Sequence, residues 1–363
     1  MDQRQSREKS RAGYLRGVIA FPVQPTDERW PTTEWRFAEL ADDVDRAAVD
    51  EALRAIRETP EGQGVSLATL VIHRGRVVAE QYGPDTDADN TLISWSMAKS
   101  ITQAVLGLLS ADGLVDLDAP APVAEFGSGG KEAISIRHLL AMKSGLEFVE
   151  DYVDETTSHC LEMLFGEGMG DHAYYAARQQ LLYAPGEVWS YSSGTTNILA
   201  RIAGDLVGGG ETGMREYLAA RLFGPLGMTS AEPKFDPSDT FVGSSYVYAT
   251  ARDFARFGYL YLRDGCWDGH RLLPSGWVDY ARTEVAVDPD PPYFGYGAHW
   301  WIWRDQPGSL AAHGYEGQYV VVLPERDLVV VHLGKVPVAV RPPLLGKLSR
   351  LICAFPTASH AMP

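Results

Sequence analysis

The sequence predicts an α+β (mixed α/β) fold in which an antiparallel sheet is flanked by helices and a helical domain is inserted between its first and last strands. Three observations carry this. Strand patterns occupy both ends of the chain, the middle third is helix-rich and strand-poor, and a strongly apolar helix opens that middle third.

Residues 1–34 carry Arg, Pro, Thr and Asp without periodicity. They are expected to form an N-terminal arm that lies over the surface or reaches a neighbouring subunit, the second case giving a homodimer. From Val44 to Ile56 apolar residues recur at helical spacing. Val65 to His73 and Val77 to Tyr82, separated by Arg74-Gly75-Arg76, read as two strands joined by a short hairpin. Ser96 to Leu109 is apolar on most sides and runs into Ser110-Ala-Asp-Gly113, a C-cap signal, which predicts a buried helix. Ile136–Met142 and Thr196–Leu206 are further helices of the middle third. After a helix over Ala251–Leu262, strand patterns return at Tyr296–Trp303, at Gln318–Leu323 and, beyond a turn at Pro324-Glu-Arg-Asp327, at Leu328–Leu333. The expected organisation is a discontinuous α/β sheet domain, 35–93 and 240–363, with a helical domain, 94–239, carrying the candidate nucleophile.

Apolar residues make up 45% and charged residues 22%, which places the chain among ordinary globular proteins rather than disordered or fibrous ones. The 32 basic against 48 acidic residues leave a formal charge of −16, which repels nucleic-acid phosphates and anionic lipid surfaces alike. Neither nucleic acid nor membrane is an expected partner. Cys160, Cys266 and Cys353 are far apart, odd in number and without Cys-x-x-Cys spacing, so they are expected to be reduced. The apolar stretch Gly17–Val23 is too short for a secretory signal, and no apolar run is long enough to span a bilayer; a cytoplasmic location is expected.

A serine hydroxyl is a weak nucleophile near neutral pH and needs a base within hydrogen-bond reach. Ser96-Met97-Ala98-Lys99 offers one, since positions i and i+3 of a helix share a face and an apolar environment disfavours the charged ammonium. The helix N-terminus would also present unpaired N–H groups to an oxyanion. Standing alone, such a pair is as readily a surface serine and lysine. Tyr191, in Tyr191-Ser192-Ser193 before a helix, could relay a proton or could merely pack at the helix start. Ala311-Ala-His-Gly-Tyr-Glu-Gly-Gln318, just before a core strand, would let a substrate approach the backbone closely, or is a tight turn.

In that order, Ser96-x-x-Lys99, Tyr191-x-Ser193 and Ala312-His313-Gly314 resemble the three-motif signature of class C β-lactamases, DD-peptidases and related esterases. Ile134-Ser-Ile-Arg-His-Leu-Leu-Ala-Met-Lys-Ser-Gly-Leu146 extends the likeness over most of residues 60–335. Glu150-Asp-Tyr-Val-Asp154, Tyr191-Ser-Ser193, Trp300-Trp301 and Gly317-Gln318 are similar to the 6-aminohexanoate-dimer (nylon-oligomer) hydrolase and carboxylesterase group. The resemblance implies a β-lactamase/DD-peptidase-like fold and a serine hydrolase acting on a small ester or linear amide, with no cofactor. It implies that Ser96 forms the acyl-enzyme, that Lys99 and Tyr191 shuttle protons, and that the N–H groups of Ser96 and Tyr315 bind the oxyanion. Tyr152, Ser193, Trp301, His313 and Gly314 would contact the substrate. The family's third-motif lysine is replaced by Ala312 or, one register on, by His313, which speaks against strong β-lactamase activity. The acidic residue that meets the amine of a nylon dimer has no clear counterpart after Tyr152, and the lack of a signal peptide speaks against a DD-peptidase. A β-lactamase or DD-peptidase activity remains the nearest alternative, and a catalytically silent ligand-binding homologue the alternative of a different class. The sequence contains no Gly-x-Ser-x-Gly elbow and no zinc-ligand spacing. His73 and His332 lie in strand patterns and read as core or edge residues.

Overall fold

The structure is a computed structural model that describes residues 19–26, 29–152, 158–289 and 293–357. Residues 1–18 of the expected arm, and Val153 and Asp154 of the Glu150–Asp154 segment, lie outside the described residues.

Eight strands form the central sheet: β1 (Val65–His73), β2 (Arg76–Tyr82), β3 (Ala286–Val287), β4 (Phe294–Tyr296), β5 (Trp301–Trp303), β6 (Leu310–Gly314), β7 (Gln318–Leu323) and β8 (Leu328–Lys335). Their order is β2-β1-β8-β7-β6-β5-β4-β3, with antiparallel neighbours throughout. The first strand of the chain therefore lies beside the last, Leu70 opposite Val331. The fold is the mixed antiparallel-sheet and helix arrangement that the terminal strand patterns predict.

The valine-rich β7 and β8 are buried on both faces, and the side-chain alternation of a strand divides them between two cores. Val320, Val322, Val329 and Val331 face α5 (Ala251–Leu262), meeting Phe254, Phe257 and Leu260. Tyr319, Val321 and Val330 face α1 (Arg46–Arg57) and α6 (Arg341–Cys353), meeting Val49, Ile56, Leu348 and Ile352. Each fully buried side chain of this kind contributes about 1.5–3 kcal/mol before its ordering entropy is counted. Gly258 sets the spacing of α5, because a Cβ there would lie 2.7 Å from Val320 Cγ1 and 2.8 Å from Val329 Cγ1. At the β1–β2 turn both Arg74 (φ 50°) and Gly75 (φ 76°) are left-handed, which suits the twist of a tight hairpin.

The inserted region is built on α2 (Ala98–Ala111), α3 (His159–Phe165) and α4 (Ser193–Val207). Every residue of α2 from Ala98 to Leu109 is buried. Where the chain passes into and out of this region, Leu92–Ile93, Glu232–Pro233 and Val247–Ala249 form a small three-stranded sheet. From residue 19 to 34 the described part of the arm lies on this chain's own body. Arg282 donates to the Ile19 carbonyl (2.6 Å), and Trp30 packs against Tyr259 and Trp267 with ring centroids 5.6 and 5.2 Å apart.

Three local expectations change. Tyr296–Trp303 is not one strand: β4 and β5 pair with each other, Trp301 opposite Tyr296. A Cβ on Gly297 would lie 2.0 Å from the Ala281 carbonyl oxygen, and His299 is left-handed (φ 56°), so the chain reverses where an apolar run read as continuous. The helix expected from Ser96 begins at Ala98, preceded by a 3-10 turn over Trp95–Met97. The helix expected from Thr196 begins at Ser193, capped by Ser192, whose hydroxyl accepts from the Thr195 N–H at 3.0 Å.

Among the described residues no helix is long and apolar enough to cross a membrane, and no group of three His, Cys, Asp or Glu side chains could hold a metal ion. Burial pushes His73 and His332 down to about 4 and His299 to about 3, and holds His313 well below its ordinary value. On unfolding, these rings take up protons that the native state refuses. The stability they contribute is therefore complete above about pH 6.5 and is lost as pH falls below it, by up to roughly 1.4 kcal/mol per pH unit for each ring. Urea midpoints are expected to fall steadily from pH 7 towards pH 4; a midpoint constant over that interval would contradict the burial of the four neutral rings.

Candidate active site

Ser96 sits on the 3-10 turn that leads into α2, immediately after a strained residue. Trp95 is left-handed (φ 43°), a costly conformation for a bulky side chain. It is held by its indole N–H, which donates to Glu316 Oε2 (3.2 Å), and by edge contact with Tyr315 at 5.9 Å.

One turn further on, Lys99 is only 2% exposed. Its Nζ lies 2.9 Å from Ser96 Oγ, 2.9 Å from Ser193 Oγ and 3.0 Å from the Ser244 carbonyl oxygen. Three acceptors match the three protons of an ammonium, so a buried charge is tolerated here; the contact with Ser96 also runs in reverse, a neutral amine accepting the hydroxyl proton. Ser244 is fixed in turn by Asn197 Oδ1 of α4, which accepts its N–H at 3.1 Å. Tyr191 completes the group. Its ring centroid lies 4.9 Å from Lys99 Nζ, and both Ser96 and Lys99 act on its phenol to lower its pKa. Burial raises the Tyr191 pKa, opposed by the Lys99 charge, so the phenol stays protonated near neutral pH and serves as a neutral donor and acceptor.

A carboxylate to which sequence reasoning gave no role stands behind this group. Glu150 accepts from Ser193 N–H (2.7 Å), Ser193 Oγ (2.5 Å) and the Tyr152 phenol (2.6 Å). Because Ser193 Oγ gives its proton to Glu150, its lone pairs face Lys99. Burial, reinforced by the Glu150 charge, raises the Tyr152 pKa well above its ordinary value. Glu150 lies within the quoted Glu150–Asp154 run, but no spacing rule ties it to a serine 43 positions away. Ser244 was missed for a simpler reason: a backbone carbonyl has no sequence signature.

Beside these groups opens a cleft of about 440 Å³ whose walls include Ser96, Tyr152, Tyr191, Trp301, His313 and Gly314. The cleft gathers sequence-predicted residues from the Ser96 turn, the loop carrying Tyr152, the segment just before α4, β5 and β6, and Tyr315 lines it too, whereas Lys99 and Ser193 lie behind its wall. Trp301 packs on Tyr191 with centroids 5.2 Å apart. His313 stacks behind Trp301 at 5.2 Å and 11°, and its Nε2 accepts from the Trp303 indole at 2.9 Å. It is a neutral wall residue. Ala312, by contrast, points into the helix-side core with 1% exposure, so of the two registers left open for the third motif, position 313 is the one that faces the cleft. Gly314 is required by close approach, since a Cβ there would lie 2.3 Å from the Ser94 carbonyl oxygen. Without that approach β6 and Tyr315 could not lie beside the Ser96 turn.

An antiparallel sheet that brings Ser96, the buried Lys99 and Tyr191 together at the edge of its helical insertion is an arrangement suited to serine hydrolysis, and the comparisons with known proteins point to a family of hydrolases. The β-lactamase family model matches residues 49–339. The 6-aminohexanoate-dimer hydrolase of Paenarthrobacter ureafaciens is 27% identical over 353 residues, covering 86% of this chain and 89% of that protein. A Bacillus anthracis structure provisionally assigned as a 6-aminohexanoate-dimer hydrolase superposes with a TM-score of 0.72 at 22% identity, covering 93% of both chains. A family VIII carboxylesterase superposes with a TM-score of 0.64 at 14% identity, covering 86% of this chain and 99% of that one. The chain belongs to the β-lactamase family, and it is a hydrolase of that family.

Proposed function

We propose that the chain is an esterase or amidase that cleaves a small ester or linear amide through an acyl-enzyme on Ser96. The observation that carries this reading is the 2.9 Å contact between Ser96 Oγ and a lysine amine that is 2% exposed. Ser96 Oγ attacks the substrate carbonyl while Lys99 takes its proton. Tyr191 passes a proton to the departing alcohol or amine as the acyl–heteroatom bond breaks. Water then attacks the ester carbon, gives up a proton to the same groups, and releases the carboxylic acid with Ser96 restored. The N–H groups of Ser96 and Tyr315 would hold the developing oxyanion. Tyr152, Ser193, Trp301, His313 and Gly314 would frame the substrate. A β-lactamase or DD-peptidase activity is less favoured, because the cleft presents a neutral His313 where the family's third-motif cation would stand.

A fluorophosphonate probe, read by peptide mass spectrometry, tests this. The expected adduct is on Ser96, absent from Ser96→Ala and matched by turnover of p-nitrophenyl esters. A folded chain with neither adduct nor turnover is a silent binder and would reject the proposal. In this scheme Glu150 is a positioning residue that acts through Ser193. Glu150→Gln is expected to lower kcat about ten- to a hundredfold with KM nearly unchanged, since the lone-pair direction of Ser193 is lost while the cleft wall stays. A change confined to KM would assign Glu150 to substrate binding instead.

A further inference from the structure

Ser96 opens onto two spaces. One is the wide cleft of about 440 Å³; the other is a smaller, more closed pocket of about 100 Å³ that shares Ser96, Tyr152 and Tyr315 with it. The closed pocket reaches towards α3 and is otherwise walled by Trp95, Cys160, Leu161, Leu164 and Phe165, with Ser193 and Ser245 at its polar side. Among the described residues no carboxylate, ammonium, guanidinium or imidazole lines it. The Cys160 thiol, in its wall, is kept protonated by burial.

We propose that this closed pocket is the acyl subsite and that it selects a short, uncharged aliphatic acyl chain, the wide cleft taking the leaving group. This rests on Ser96 being the nucleophile. A carbonyl poised at Ser96 Oγ has two substituents, which leave it in different directions, and Ser96 has two spaces beside it. Two observations decide which substituent goes where. Tyr191, the group placed to protonate the leaving group, lines the cleft and is absent from the walls of the closed pocket. A leaving group must also depart, and water must enter behind it, before deacylation; an open cleft permits both, whereas a closed pocket would trap the product. The acyl chain stays in place through both steps and loses nothing by being enclosed. Aliphatic and aromatic walls reward each methylene that fits and penalise an ammonium that finds no counter-charge.

The test is a series of p-nitrophenyl esters from acetate to dodecanoate, with p-nitrophenyl 6-aminohexanoate beside the hexanoate. In the wild-type chain kcat/KM is expected to rise about fourfold per methylene to an optimum between butanoate and hexanoate and then to fall. The ammonium-bearing ester is expected to react at least about tenfold more slowly than hexanoate. Leu161→Trp, which fills the pocket from a partly exposed position, is expected to reduce the hexanoate-to-acetate ratio about tenfold or more, and Leu164→Ala to move the optimum to longer chains. Fluorophosphonate labelling of Ser96 in each variant shows that the site is assembled. Labelling with a flat chain-length profile, with an optimum that neither variant moves, or with preference for the ammonium ester overturns the subsite and leaves the hydrolase reading intact. Absence of both labelling and ester turnover in the wild-type chain overturns both.

Discussion

Lys99→Met is expected to lower kcat by about three to six orders of magnitude, because nucleophile and base act as one unit. Methionine keeps the length and apolar volume of the side chain, so the buried helix keeps its packing. What disappears is the only amine in contact with Ser96 among the described residues. Two opposing effects on stability accompany the loss. Ser193 Oγ and the Ser244 carbonyl lose a donor, at about 1–3 kcal/mol for an unsatisfied buried group, while the cost of burying an ammonium is removed. The net change in stability is expected to be small beside the loss of rate, and a thermal melt separates the two. The double variant with Ser96→Ala is expected to be no slower than either single one. A loss under about tenfold in Lys99→Met would remove the lysine from the mechanism.

Tyr191→Phe is expected to cost about 10² to 10⁴ in kcat, and the size should depend on the leaving group. The ring keeps its contacts with Trp301 and Tyr296, so the cleft wall survives and only the phenol is lost. p-Nitrophenolate can depart without a proton. An alkyl alcohol or an amine cannot, so the deficit is expected to be smallest on p-nitrophenyl esters and largest on linear amides. A deficit equal across all three leaving groups would mean that the phenol does not deliver the proton.

The strands and helices whose patterns are local were legible in the sequence. α5 occupies Ala251–Leu262 as its periodicity predicts, and β7 matches Gln318–Leu323, because apolar spacing reports directly which face is buried. The β4–β5 reversal was not legible. Its cause is a contact of Gly297 with Ala281 and a left-handed His299, whereas the surrounding residues, Tyr296, Trp300 and Trp301, all read as strand. In the site, Ser96 and Lys99 could be paired because three residues of helix bring them together. Tyr191 and the Ala312–Gly314 segment could be joined to them only through a family resemblance, since nothing in their separations encodes proximity. Glu150 escaped for the same reason at closer range: its partner Ser193 lies on another element, and only the folded chain shows that the carboxylate takes both the N–H and the hydroxyl of one residue.

The pairing of β1 with β8 bears on how the molecule is made. Residues 65–73 emerge from the ribosome long before their partner, residues 328–335, has been translated. Until that late segment arrives, the edge of β1 that pairs with β8 stays unpaired in an early hairpin rich in Val, Leu and Ile. Sheet closure thus waits for a segment far along the chain and carries the loop-closure cost of a non-local pairing, the kind that folds slowly and invites aggregation in the interval. A chain released short of residue 328 would lack the strand that joins β1 to β7 and could not assemble the frame on which the Ser96 turn rests.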